Sequence, residues 1–261
     1  MGRRQRTQME RAYAEIKARY MTLRLAPGEW VDDMQLSQEL GLSRTPLREA
    51  LFLLASEGLI QAQAGGGFTV RPLDIAGISS LFEAHIVTAK AIARLVAIRA
   101  LPEEITELRE ADALVNDGIR RRSAPDIAEA NAALHNLEAR IARNEYLSAL
   151  AARIYDEGQR LGYLAFGGAE DWNASRLDDH FTRVSHDHSA LIDAYQDRDP
   201  EKAETIAVSH VRLFRERILT YIASSGADEV DLGGDVMTSV HLTTEDLQRA
   251  IADGKRREAS A

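Results

Sequence analysis

The ten residues Leu42–Leu51, LSRTPLREAL, read as the start of a DNA-reading helix. Ser43 stands at an N-cap position, where a hydroxyl oxygen can accept from a free amide of the first turn. Pro46 falls inside that turn, where a missing amide proton costs nothing. Leu47, Leu51 and Leu54 recur at helical spacing and predict a core-facing stripe. Arg44 and Arg48, four residues apart, share another face near the positive end of the helix, and Thr45 lies at the same end. Two arginines and a threonine at a helix N-terminus suit the major groove, where arginine bonds guanine bidentately.

Outward from this stretch the pattern continues. Asp32-Asp33 can open a short helix carrying Met34, Leu36 and Leu40, which Gly41 can close. Helix, tight turn and helix is the order of a helix-turn-helix. Gly58 suits the end of the second helix. Leu59-Ile60 and Phe68-Thr69-Val70 read as two short strands around Gly65-Gly66-Gly67, a tip whose backbone can approach phosphate or minor groove, with Gly66 as its contact. The expected unit is a winged helix-turn-helix. An isolated LSRTPLREAL also fits an ordinary capped helix with solvated arginines.

Charge is unevenly spread. The chain of 261 residues carries a net charge of −9, which by itself disfavours DNA. Residues 1–72, however, hold ten basic and eight acidic side chains, and the remainder is net −11. The acidic part would turn only the N-terminal part toward DNA. The basic lead Arg3-Arg4-Gln5-Arg6 fits either phosphate contacts or a solvated end. Cysteine is absent, which excludes disulfides and thiolate metal sites. No apolar stretch is long enough for a membrane span, and Arg6 stands where N-myristoylation needs serine or threonine. The expectation is a soluble, cytoplasmic protein.

Arg71-Pro72-Leu73-Asp74 breaks the pattern and predicts a linker. Beyond it, helical periodicity covers 75–100, 102–120, 126–142, 145–166, 174–195 and 200–223, with breaks at Leu101-Pro102, Ser123–Pro125, Asn144, Gly167-Gly168 and Asp197–Pro200. The expected fold is mostly α: a winged helix-turn-helix over 1–72, an all-α six-helix bundle over 73–223, and a tail over 224–261. The tail holds one short possible helix, Glu245–Asp253, capped by Thr243 or Thr244. The bundle's chemistry lies in histidines. Asn131 and His135 are i and i+4 on one helix. His188 shares a face with Leu191, Ile192 and Tyr195, and His210 shares one with Ala203, Ala207 and Phe214. His186 falls on the opposite side from His188. Three inward histidines from three helices can form a three-nitrogen metal site with open positions; singly, each reads as a core or surface histidine.

APGE at Ala26–Glu29, LGLSRTPLREAL at Leu40–Leu51 and EGL at Glu57–Leu59 carry a family resemblance. Ala14–Pro72 resembles the DNA-binding domain of GntR-family bacterial transcription regulators. The resemblance implies a homodimer on a palindromic operator under small-molecule control, with Ser43, Arg44, Thr45 and Arg48 at or beside its base and phosphate contacts. Met34 stands where some members carry a further arginine. Residues 75–223 resemble the FCD ligand-binding domain of the FadR-like branch, through HSALIDAY, AVSHVRLF and the turn at Asn144. Many members hold a divalent metal with an Asp-x-x-x-His pair and two later histidines. His135, His188 and His210 match those histidines, while Asn131 takes the aspartate position as a weak, uncharged ligand.

A site of neutral ligands is expected to keep a charge near +2, to suit zinc or nickel, and to attract a small carboxylate effector. His85-Ile86-Val87-Thr88 replaces an arginine and a glutamate common on the first bundle helix. The effector would then rely on the metal, His85, Arg140 or Arg153. Two other functions fit parts of the chain. Ser185-His186-Asp187 with His135 is compatible with a metal-dependent helical hydrolase. A winged helix with a dimerising bundle and no effector would be an architectural DNA binder.

Overall fold

The computed structural model describes residues 2–167 and 177–224. It forms two compact units that part between Ile75 and Ala76. The tail, with its possible helix at 245–253, lies outside the described residues, as do Gly168 and the first residues of the 174–195 segment.

The first unit contains α1 (Gly2–Met21), β1 (Trp30–Val31), α2 (Asp33–Leu40), α3 (Arg44–Ser56), β2 (Ile60–Ala62) and β3 (Phe68–Val70). Asp32 caps α2 by accepting from the amides of Met34 and Gln35, and Gly41 ends it in the left-handed region at φ 61°. Ser43 occupies the N-cap of α3, but its side chain makes no cap hydrogen bond, so the expected hydroxyl cap is corrected to a purely positional one. Leu47, Leu51 and Leu54 are fully buried. They meet Ala12, Ile16 and Tyr20 of α1, likewise fully buried and spaced by four, so α1 lays one stripe on the core. Tyr13 of α1 donates to Glu57 at the end of α3 at 2.9 Å.

α1 has no counterpart among the expected elements. Its buried stripe is narrow, and six of its twenty residues are basic. The lead segment Arg3–Arg6 is part of this helix. A third strand was also not expected: β1 pairs antiparallel with β3, giving the sheet order β1-β3-β2, with Val31 opposite Phe68 and Ile60 opposite Val70. Two residues are too few for a period-2 signal, so only the pairing reveals the strand. At the wing tip Gly66 and Gly67 take φ of 90° and 86°. A Cβ on Gly67 would collide with the Trp30 indole, so this position needs glycine twice over.

The second unit is helical among the described residues: α4 (Ile75–Arg99), α5 (Pro102–Arg121), α6 (Ala124–Ile141), α7 (Glu145–Gly167), α8 (Leu177–Gln196) and α9 (Pro200–Ser224). Three of the breaks have a visible cause. Pro102 starts α5 while Glu104 reaches back to the Leu101 amide at 2.8 Å. The Asn144 side chain accepts from the Leu147 amide to cap α7, and Asp199 accepts from the amides of Glu201 and Lys202 to cap α9. The core between the helices is formed by Phe82, Val96, Leu108, Leu161, Phe181 and Ile218, all buried. No described helix is long and apolar enough to cross a membrane.

Candidate DNA-reading surface and metal centre

The N-terminus of α3 presents Ser43, Arg44 and Thr45 to solvent, with Arg48 partly exposed one turn on. Arg48 is anchored on its inner side, its guanidinium lying 5.7 Å from the Phe52 ring centre and 5.6 Å from that of Phe68. Both arginines converge on Asp33, which opens α2. Arg44 donates to one carboxylate oxygen at 2.9 Å and Arg48 to the other at 2.6 Å. Burial by itself would raise the Asp33 carboxyl. The hydrogen bonds and charges of Arg48 and Arg44 outweigh it and hold Asp33 below the usual carboxylate range. The two arginines are thus fixed at one spacing, with donors left over for an outside acceptor. Gly66 is exposed at the wing tip. Met34, at the place of a possible third arginine, is exposed and uncharged.

In the helical unit the three inward histidines come together. One ligand atom from each of His135 (α6), His188 (α8) and His210 (α9) lies within 4.8 Å of the others. The Nε2 atoms of His188 and His210 stand 3.3 Å apart. Two nitrogens each about 2.0–2.1 Å from a single ion subtend roughly the tetrahedral angle at that separation. Burial, followed by the positive charge a neighbouring histidine would carry, pushes the imidazoles of His188 and His210 below their ordinary range. They are therefore neutral and able to ligate. The donor set fits a borderline ion.

Behind each ring stands a carboxylate on the Nδ1 side. Glu138 takes His135 Nδ1 at 2.7 Å, and Asp112 of α5 lies 3.0 Å from His188 Nδ1. Asp187 lies 3.6 Å from His210 Nδ1, an ion-pair distance rather than a hydrogen bond. Glu138 is buried, and its second oxygen accepts from the Tyr195 hydroxyl at 2.8 Å. Burial would raise Glu138, but His135 and the Tyr195 hydroxyl outweigh it and hold the carboxyl ionised, below its usual range. Burial raises Asp112 instead. Glu138 was legible as the i+3 neighbour of His135 within the apolar stretch Leu134, Leu137, Ile141. Asp112 was not, because 76 positions separate it from His188.

These carboxylates correct the expectation of a site with an uncompensated charge near +2: the ligands are neutral, but their partners are not. The expected effector contacts separate as well. His85 lines the small cavity beside the triad with Tyr155, Tyr195 and Ala207, a space of about 20 Å³. Burial, then the charges of His135 and His210, pushes His85 down to about 3, so it is a neutral group and not a cation. Arg140 and Arg153 are exposed, and neither lines this cavity, so the expectation that they supply charge to it is also corrected. Asn131 is half-buried one turn before His135 and does not line the cavity. His186 is exposed and turned away from the triad, while Asp187 serves His210, so the His-Asp pair does not enter the site as a unit. Asp112 also lines a larger open groove of about 540 Å³ with Arg109, Asn116, Phe181 and Ser185.

Comparison with known proteins gives the same division. Residues 8–70 match the family of bacterial regulatory proteins described as gntR, and residues 80–213 match the FCD domain. The chain is 28% identical to the Nta operon transcriptional regulator of Aminobacter aminovorans over 75% of its own length and 87% of the relative's. It is 30% identical to the probable D-xylose utilization operon transcriptional repressor of Paenarthrobacter nicotinovorans, over 73% and 80%. Among solved structures, E. coli McbR/YncC superposes with a TM-score of 0.68 at 18% identity, covering 81% of this chain and 96% of that one. At this identity the likeness speaks for the fold alone.

Proposed function

The chain belongs to the gntR family of bacterial regulatory proteins and carries an FCD domain, and is thus a transcription regulator rather than an enzyme; from this premise we propose how it reads DNA and how it is controlled. It acts in the cytoplasm as a homodimer on a palindromic operator, most simply as a repressor. The base and phosphate contacts come from Arg44, Thr45 and Arg48, with Ser43 and Gly66 beside the backbone. A divalent ion, zinc or nickel, is held by His135, His188 and His210, with Asn131 the weakest of the proposed ligands.

The observation that carries the metal reading is the 3.3 Å approach of two imidazole Nε2 atoms beside a third ring, with His188 buried and His135 and His210 partly buried. When bound, the ion supplies open coordination positions for a small organic acid. The cavity of about 20 Å³ holds one or two water-sized groups, so even a compact acid would enter only as the lining side chains yield. His85 faces the acid as a neutral hydrogen-bonding group. Binding in one of two states with different operator affinity couples effector to DNA. Metal analysis of the purified protein, followed by melting with a series of short carboxylic acids in loaded and stripped forms, tests this. Acids that raise the melting temperature only in the loaded form are the expected result. No metal, and no effect of any acid, would sink it.

A further inference from the structure

Glu138 is a carboxylate in a place that apolar side chains would fill. It sits between Leu137 and Ala139 on α6, with Leu134 and Ile141 on the same side, and all five are buried. A buried carboxylate is costly unless its oxygens are matched, and replacing such a group with an apolar one is often neutral or stabilising. Core packing alone therefore does not call for it. Both of its oxygens are engaged, one by His135 Nδ1 at 2.7 Å and one by the Tyr195 hydroxyl at 2.8 Å. A carboxylate on Nδ1 fixes that nitrogen as the protonated one and leaves Nε2 with its lone pair free. Asp112 does the same for His188 from a different helix, at 3.0 Å.

We propose that Glu138 is the charge-compensating and positioning residue of the metal centre, acting through His135, with Asp112 as its counterpart behind His188. The proposal rests on the metal reading above. The three histidines bring no charge of their own to a divalent ion. Glu138 brings one negative charge to within one imidazole of it, in a core where solvent screens little. It also raises the basicity of His135 and prevents the flipped tautomer, which would turn Nε2–H toward the ion. Tyr195 holds the carboxylate in place from α8, so the positioning group is shared between two of the helices that carry ligands.

The test titrates cobalt(II) into full-length, chelator-stripped protein against a chromophoric competitor at fixed pH, and records the visible spectrum of the bound ion. Glu138→Gln keeps the size of the side chain and removes the charge. It is expected to weaken cobalt binding by about 10–100-fold, with the band pattern of the three-histidine set retained. Glu204→Gln removes a surface charge that pairs with Lys90 and Arg94 in the same unit, and it is expected to bind cobalt like the parent. Equal cobalt affinity in Glu138→Gln and the parent overturns the proposal, and so does an equal loss in Glu204→Gln. Should Glu138→Gln not fold, Asp112→Asn reads the same shell through His188: a weakened affinity is expected, and an unchanged one overturns the proposal. A parent protein that takes up no cobalt defeats the metal reading itself, which a parent that binds alongside an indifferent Glu138→Gln does not.

Discussion

Arg48 of α3 donates to Asp33 of α2 at 2.6 Å, so a side chain proposed to read a base is held by a residue outside its own helix. Arg44 shares the same carboxylate. Replacing Asp33 by Asn is expected to loosen both arginines. Affinity for unrelated DNA should rise, because one negative charge leaves the surface, and the ratio of operator to non-operator affinity should fall. Fluorescence anisotropy at fixed salt with both duplexes measures this. An unchanged ratio would show that Asp33 does not position the arginines.

The same contact has a defined pH dependence. Asp33 is held below its unfolded value, so its contribution to stability is fully present above about 3.8–3.9 and is lost as pH falls through the depressed folded value. Both arginines are more than one-third exposed, which keeps each pair in the range of about 0.2–1 kcal/mol. Thermal melts of the parent and Asp33→Asn should differ at neutral pH and converge in strong acid. A difference that grows on acidification contradicts the assignment.

Arg48→Ala is expected to cost about 1–3 kcal/mol in operator binding and to relax the preference at one symmetric pair of positions. Binding should fall steeply with salt in every variant, because the phosphate contacts remain. Selection of binding sites from a randomised duplex pool reads the lost preference directly. Parent-like affinity in both Arg44→Ala and Arg48→Ala would remove α3 from the interface.

Gly67→Ala tests the wing independently of DNA. The new Cβ would meet the Trp30 indole, at a φ of 86° that alanine rarely adopts. A loss of about 1–3 kcal/mol is expected from the backbone conformation, together with a shift in Trp30 fluorescence as the ring yields. Gly65→Ala, with open space around it and an ordinary φ, should melt like the parent.

Loading with zinc or nickel at a free concentration of about 100 times the dissociation constant should stabilise the protein by roughly 2.7 kcal/mol. His188→Ala should remove that increment, because it takes away the buried one of the three proposed ligands. Calorimetric melts with and without a chelator measure the difference. An equal increment in His188→Ala would place the metal elsewhere.

What the sequence determined by itself is what short-range physics controls. Leu47, Leu51 and Leu54 at helical spacing bury one side of α3 and leave Arg44 and Arg48 on the other. Pro102, Asn144 and Asp199 end or start helices through their own backbone chemistry. The periodic positions of His135, His188 and His210 turn all three inward without reference to any other helix. The three-stranded order of the sheet, the packing of α1, the sharing of Asp33 by two arginines, the approach of Asp112 to His188 and the exposure of Arg140 and Arg153 were decided only by tertiary structure. Each of these depends on which residues distant in the chain become neighbours, or on which side of a helix another helix covers. A periodic pattern marks a face as buried but does not say what it is buried against, so Glu138 was legible beside His135 on its own helix, while Asp112 behind His188 was invisible until the helices were packed.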